Sequence, residues 1–299
     1  MKRKKITVFT PTYNRAYVLE NCYNSLVRQT NKDFLWLIID DGSTDDTKEL
    51  VEKWKNENKI EIIYVYQENQ GMAGAHNTAY KMIDTELNMC VDSDDYLTDN
   101  AIEIILNKWE QCDKSNTAGI VALDMYKNGE IVGTKLPENI KHEKLYDLYN
   151  KYNVKGDKKL IYRSDLTKKF EYKITKGEKI VSSACKYYQI DQLYDLNILN
   201  EPVCVVEYLQ DGMSSSVKKS YIKNPHGNME FAKVILSIPN ATKINKFKQA
   251  VNYVANANVV KQKKKTIEGK GRIYTIICYP LGILYSKWIK KEKKKMEKS

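Results

Sequence analysis

The sequence predicts an α/β fold, a sheet covered by helices, followed by a helical and basic tail. Three observations carry this. Strand-like and helix-like patterns alternate four times in the first 110 residues. The rhythm changes past Gly119, and positive charge gathers after residue 260. The 299 residues are 42% hydrophobic and 29% charged, an ordinary globular composition with ample core.

The elements follow in order. Ile6 to Thr10 reads as a short buried strand, and Tyr17 to Gln29 carries Leu19, Cys22, Tyr23, Leu26 and Val27 as an amphipathic stripe. Phe34 to Ile39 is a second strand, ending at Asp40-Asp41-Gly42-Ser43. A helix begins near Asp45 with Leu50, Val51 and Trp54 on one face. Ile60 to Tyr66 is a strand, Gly71 to Ile83 a helix, Leu87 to Val91 a strand and Thr98 to Gln111 a helix. Four successive βα units imply a parallel sheet with helices on both faces. Beyond it, Asn128-Gly129 between apolar runs signals a hairpin. A helix is expected from Glu178 to Leu193, then a strand from Val203 to Tyr208. The expected division is a domain at 1–230, with a first half at 1–110 and a second at 111–230, then a helical segment at 231–299.

Charge excludes some functions. The net charge is +11, but the stretch from Lys261 to Ser299 holds thirteen Lys and Arg against three Glu, a net of +10. The other 260 residues carry +1, too little for a fold that grips nucleic acid. Six scattered cysteines without a CxxC pair suggest reduced thiols, and the apolar run after Met1-Lys-Arg-Lys-Lys is too short for an export signal. The apolar stretch from Ile273 to Tyr285 falls short of the ~20 residues that span a bilayer. Lysines bracket it, which suits a segment lying in the interface of an anionic leaflet. A packed C-terminal helix with a solvated charge run is the other reading. The tyrosine-rich tail also offers a surface for a second copy of the chain.

Ligands of parallel α/β sheets sit beyond the carboxyl ends of the strands. Asp40/Asp41 end the second strand and Asp92-Ser93-Asp94-Asp95 the fourth, so both clusters should share one rim. Carboxylates gathered in this way invite a hard divalent cation, with Asp92 and Asp94 aimed at one ion. A turn-and-cap role for Asp41-Gly42-Ser43 is the plainer alternative. No GxGxxG follows the first strand, which removes the dinucleotide-binding turn. The same region lacks the Gly-rich basic loop of a nucleotidyltransferase.

Five short motifs stand in register: Val8-Phe-Thr-Pro-Thr-Tyr-Asn-Arg15, Gln29-Thr30, Ile39-Asp-Asp-Gly-Ser-Thr-Asp45, Asn69-Gln-Gly71 with Asn77, and Val91-Asp-Ser-Asp-Asp95. In this order they resemble the nucleotide-binding half of family 2 glycosyltransferases with the GT-A fold, a Rossmann-like mixed sheet flanked by helices. The resemblance is dense over residues 5–110 and looser to about 230. It implies that Pro11, Thr12, Tyr13, Arg15 and Asp41 hold the nucleoside, and that His76 and Asp92 serve the donor. It further implies that Asp92 and Asp94 bind Mn²⁺ or Mg²⁺. The implied reaction is an inverting transfer from a nucleotide-sugar, UDP being the usual nucleotide, to a glycan that is lipid-linked. The setting would be bacterial surface polysaccharide synthesis, with the protein cytoplasmic and peripheral at the inner face of the cell membrane.

Two departures stand out. Lys176-Gly177-Glu178-Lys179 replaces the usual acidic turn, making Glu178 the candidate catalytic base, with Asp191 and Asp165 as fallbacks. His76 stands where the family often has Arg. The altered turn leaves room for a catalytically impaired scaffold protein in a glycan-synthesis complex. Glu207 to Ser214 and Asn224 to Gly227 resemble acceptor-side segments of capsular and exopolysaccharide members.

Overall fold

The computed structural model describes residues 3–207 and 217–297. Two compact units divide the chain: Met1–Glu171 with Ile190–Leu209, and Tyr172–Gln189 with Gln210–Ser299. The boundary expected at residue 230 falls inside a helix of the second unit.

The first unit opens with β1 (Ile6–Thr12), α1 (Ala16–Val27), β2 (Phe34–Asp40), α2 (Thr47–Glu57), β3 (Ile62–Tyr66), α3 (Gly71–Met82) and β4 (Leu87–Cys90). These are the expected βα units, with β3-β2-β1-β4 side by side and parallel. The helices end where their apolar stripes end. Asn58 closes α2 in the left-handed conformation that Asn tolerates. The side chains that β1, β2, α1 and α2 share form one core, in which Tyr23 stacks on Trp54 at 4.4 Å and 10°. Burying large aromatic and aliphatic groups of this kind contributes roughly 1.5–3 kcal/mol each. Gln29, of the Gln29-Thr30 motif, ties α1 to the start of the helix Ala101–Glu110: its Nε2 donates to the Ser25 and Thr98 carbonyls and its Oε1 accepts from Ile102 N at 3.0 Å.

β5 (Tyr96–Leu97), α4 (Ala101–Glu110), β6 (Thr117–Met125), β7 (His142–Glu143), α5 (Leu145–Asn150), β8 (Lys158–Arg163), α6 (Ser164–Thr167) and β9 (Asp195–Val205) complete the unit. Among the described residues the strands make one nine-stranded sheet ordered β3-β2-β1-β4-β8-β6-β9-β5, with β7 on β9. The sheet is mixed because β8 runs antiparallel between β4 and β6. The Asn128-Gly129 turn closes a short hairpin: Tyr126 N donates to the Glu130 carbonyl at 2.8 Å and Val132 N to the Asp124 carbonyl at 2.9 Å, with Met125 bridged to Ile131. β8 pairs with β6 only from Gly119 to Leu123 and β9 takes the other edge, so the second arm finds a free edge only beyond Leu123.

The second unit is helical: α7 (Ala184–Ile190), α8 (Val217–Lys223), α9 (Pro225–Ser237), α10 (Lys243–Val259), α11 (Arg272–Ile277) and α12 (Tyr279–Met296). The helix expected from Glu178 shortens to α7, because Gly177 sits at φ +86° and Glu178 N closes a turn onto the Thr175 carbonyl. Thr242 caps α10 through its side chain. The tail is packed on one face: Cys278, Gly282, Ser286 and Ile289 are buried, and Ser286 Oγ accepts from Asn258 Nδ2 at 2.8 Å. A Cβ on Gly282 would come 2.5 Å from Val254 Cβ, so the α10–α12 approach requires glycine there. Among the described residues no helix is long and apolar enough to cross a membrane.

Candidate active site

The strands β1, β2 and β4 are parallel neighbours, so their carboxyl ends open on one edge of the sheet. The ladder continues past them: Asp41 N donates to the Thr12 carbonyl at 2.8 Å and Val91 N to the Phe9 carbonyl at 3.0 Å. The two acidic clusters are thereby brought to the same rim, as the sequence predicts.

Asp41 is buried and faces the start of α3. Its Oδ1 accepts from Gln70 N at 2.9 Å and Gln67 Nε2 at 2.7 Å, and its Oδ2 accepts from Gly71 N at 2.7 Å. A carboxylate at a helix N-terminus satisfies orphan N–H groups and the dipole together. The Gly42 φ of +89° turns the chain so that this is possible. Oδ2 takes one donor in the structure and retains a lone pair. Nearby, Thr12 Oγ1 and Gln67 Oε1 are buried without a hydrogen-bond partner among the described residues. Buried polar atoms of this kind call for a ligand or water.

The segment after β1 is held from below. Asn14, at φ +52°, donates its N–H to Ser43 Oγ at 2.8 Å and accepts from Thr44 N at 2.8 Å. Asp45 accepts from Ala16 N at 3.0 Å, tying α1 to the loop after β2, and its hydrogen bonds hold its carboxyl below the usual range against burial. Pro11 is half-buried, Tyr13 is exposed and Arg15 donates to Tyr17 Oη at 2.7 Å.

Asp92 is exposed and Asp94 half-buried, in a turn closed by Asp95 N donating to the Asp92 carbonyl at 3.0 Å. Cys90 Sγ lies 3.6 Å from Asp92 Oδ1. His76 is buried behind it, Nε2 3.8 Å from Cys90 Sγ, with Phe9 and Tyr80 packed edge-on against the ring. Asp95 turns inward. Its Oδ2 lies 3.7 Å from Lys159 Nζ on β8, and Lys159 lies 3.8 Å from Asp124 Oδ1 on β6. Burial raises Asp95 to about 7 against the pull of Lys159, with Asp92, Asp124 and Asp94 adding repulsion. Burial likewise raises Asp124. Sequence patterning did not single out Lys159 or Asp124. Asp124 and Lys159 sit about 30 and 65 residues beyond the acidic motif, and only the strand order joins them to it.

The hard oxygen donors at this rim fit a divalent cation of the Mn²⁺ or Mg²⁺ type. Among the described residues no three His, Cys, Asp or Glu side chains converge on one point. Asp92 and Asp94 would supply two positions, leaving the others to water and substrate oxygens, which suits an ion that arrives with a diphosphate.

Glu178 belongs to the second unit. Its carboxylate caps α9, accepting from His226 N at 3.0 Å, His226 Nδ1 at 2.6 Å and Gly227 N at 3.0 Å. It thus serves a helix N-terminus, but that of α9 rather than a helix of its own. Asp191 accepts from Leu145 N and Tyr146 N, each at 2.7 Å, and Asp165 pairs with Arg163. Residues 208–214 of the expected acceptor-side segment lie outside the described residues. Asn224 Oδ1 accepts from Lys179 N and Ile180 N, joining the start of α9 to the Glu178 turn.

A mixed sheet with a D-x-D turn beyond β4 and a helix-capping aspartate beyond β2 defines a protein of the GT-A class. The profile of Glycosyl transferase family 2 matches residues 7–170, more than half of the chain. The chain belongs to that family. Streptococcus pneumoniae glycosyltransferase GlyA is 35% identical over 104 residues, 35% of this chain and 15% of that protein. The teichoic acid poly(glycerol phosphate) polymerase of Staphylococcus epidermidis is 33% identical over 119 residues, 40% of this chain and 16% of that protein. Escherichia coli chondroitin synthase is 32% identical over 106 residues, 36% and 15%. The matches thus span only about a sixth of these relatives' own length. Staphylococcus aureus TarS 1–349 in complex with UDP-GlcNAc superposes with a TM-score of 0.63 at 22% identity, covering 87% of this chain and 76% of that one. The mannosyltransferase PcManGT of Pyrobaculum calidifontis, in complex with GDP-Man and Mn²⁺, gives 0.56 at 16% identity, covering 96% and 88%. These likenesses establish the fold.

Proposed function

We propose that the chain is an inverting, metal-dependent glycosyltransferase that moves a sugar from a nucleotide-sugar, a UDP-sugar first among candidates, to a glycan acceptor in bacterial surface polymer synthesis. The observation that carries this reading is the Asp92–Asp94 turn on the same sheet edge as Asp41, in a chain of this family. The relatives' names, a teichoic acid polymerase and a chondroitin synthase, support the polymer class. The UDP-GlcNAc complex of TarS supports the donor class.

The proposed roles follow from placement. Pro11 to Tyr13, Arg15 and the remaining lone pair of Asp41 Oδ2 receive the nucleoside. Asp92 and Asp94 hold the ion, and His76 backs them through Cys90. The ion, when bound, supplies Lewis-acid charge to the leaving diphosphate. A carboxylate takes the proton of the acceptor hydroxyl as that hydroxyl attacks the anomeric carbon and the nucleotide departs. Glu178 is the proposed proton acceptor.

The three donors on Glu178, and Lys179 at the position usually acidic, favour a second reading: a scaffold that binds donor without turnover. Glu178→Gln separates the roles. Its amide would face two backbone N–H groups, costing about 1–2 kcal/mol of stability by thermal unfolding. Loss of transfer with donor binding spared supports the base, and unimpaired transfer moves the base elsewhere.

The acceptor is proposed to be lipid-linked, reached at the inner face of the cell membrane, with the net +10 of residues 261–299 drawing the chain to anionic lipid. Calorimetry of UDP-, GDP-, CMP- and dTDP-sugars with and without Mn²⁺ tests the donor reading. Metal-dependent binding of one donor, followed by its transfer or hydrolysis, is the expected result. Binding without turnover would leave the scaffold, and no binding by folded protein would overturn both the donor and the metal assignment.

A further inference from the structure

The charge of the tail accounts for attraction to a surface but not for its apolar residues. Ile273 and Ile277 on α11, with Leu281, Leu284 and Trp288 on α12, are each 38–66% exposed. Their spacing of four, four, three and four residues lines one face of both helices. The helices run almost continuously: Cys278 N donates to the Tyr274 carbonyl and Gly282 N to the Cys278 carbonyl, each at 2.9 Å. Pro280, without an N–H, breaks the ladder between them. At 100° per residue, the Leu281–Leu284–Trp288 face lies about 130° around α12 from the packed Gly282–Ser286–Ile289 face. The two faces do not compete, so the tail can pack on its own unit and still present apolar surface.

We propose that this stripe is an in-plane docking surface that enters the interfacial layer of an anionic bilayer, with α11 and the first turns of α12 lying flat on it. The lysines flank the stripe. Lys290, Lys291 and Lys293 to Lys295 follow it along α12, while Lys264 and Lys270 line a cleft of about 460 Å³ just before α11. Apolar residues between clusters of lysine match a lipid surface, where side chains insert and ammonium groups meet phosphates. A second copy fits worse, since it would set one +10 segment against another. The inference deepens the proposed membrane placement and rests on that reading for its purpose, but it assigns retention to apolar insertion rather than to charge alone.

The test uses the full chain and vesicles of equal parts phosphatidylcholine and phosphatidylglycerol. Trp36, Trp54 and Trp109 are buried, which makes Trp288 the reporter of a change in surroundings. Its emission should shift to the blue and escape aqueous quencher when vesicles are added. Ile273→Ser/Ile277→Ser/Leu284→Ser alters exposed positions only and keeps every lysine. Its partitioning should fall on the order of 100-fold while thermal stability and donor binding stay unchanged. Equal partitioning of this variant and the wild type, or binding that salt abolishes completely, would reduce the tail to electrostatics and overturn the proposal. A wild-type dimer that the triple variant dissolves, without vesicle binding, would assign the stripe to a second copy and overturn it too. Donor calorimetry run beside the vesicle assay keeps the outcomes separate, because intact donor binding with failed docking removes the docking surface and leaves the donor chemistry standing.

Discussion

Asp94→Ala should abolish metal-dependent donor use and leave the fold intact. Asp94 stands in the turn beyond β4, half-buried, and its charge is one of those that push Asp95 up to about 7. Its removal relieves that repulsion and deletes no core side chain, so the stability change should be small, about 1 kcal/mol or less. The loss appears where the cation would act. Two carboxylates hold the ion in this proposal, and with one gone the leaving diphosphate loses charge stabilisation worth several kcal/mol, on the order of 10³-fold in rate. The diagnostic readout is calorimetric: Mn²⁺ should strengthen donor binding to the wild type and have no effect on the variant. Full metal-dependent activity without Asp94 would move the ion to other residues and dissolve the role given to the D-x-D turn.

The legibility of this site in the sequence follows the range of the signals. Strands β1 to β4 announce themselves through short apolar runs bounded by turn residues, and the rule that parallel strands open at one edge then places Asp41 and Asp92 together. Partners were harder to read. Asp41 looks like a ligand-facing carboxylate or a turn residue, and the structure shows its side chain spanning to Gln67, Gln70 and Gly71. No local pattern encodes that reach. Glu178 looked like the first residue of its own helix because apolar spacing continues to Leu193, but Gly177 and the contact with α9 overrode that spacing. The Asn128-Gly129 turn closes the short hairpin its chemistry predicts, but the length of its arms depends on which strand edges are free. Lys159 and Asp124 carried no signal at all. Each reads as one charged position in a strand, and their meeting with Asp95 depends on β8 entering the sheet between β4 and β6.

Lys159→Met should be the most destabilising of these single changes, by about 3–5 kcal/mol in urea unfolding of the first unit. Lys159, Asp95 and Asp124 have side chains about one-tenth exposed or less, and the ammonium lies within 4 Å of both carboxylates. Its removal leaves two buried carboxylates without the ammonium that sits between them, which is the costly way to break an ion pair. The pH dependence has a definite sign. Asp95 is raised to about 7 and Asp124 is raised by burial. A carboxyl whose folded pKa exceeds its unfolded value binds protons more tightly when folded, so its contribution to stability grows as pH falls from above 7 towards about 4. The deficit of Lys159→Met should therefore shrink across that window. Combining Lys159→Met with Asp95→Asn and Asp124→Asn should restore much of the lost stability, because neutralising the whole triad removes the unpaired charges. Restored stability need not restore function. Asp95 N closes the turn that displays Asp92 and Asp94, and its side chain anchors that turn to β8 and β6 through Lys159. The triple variant should fold yet bind donor with weakened metal dependence. If it binds donor and metal as the wild type does, the triad only fills the core, and the turn keeps its geometry without that anchor.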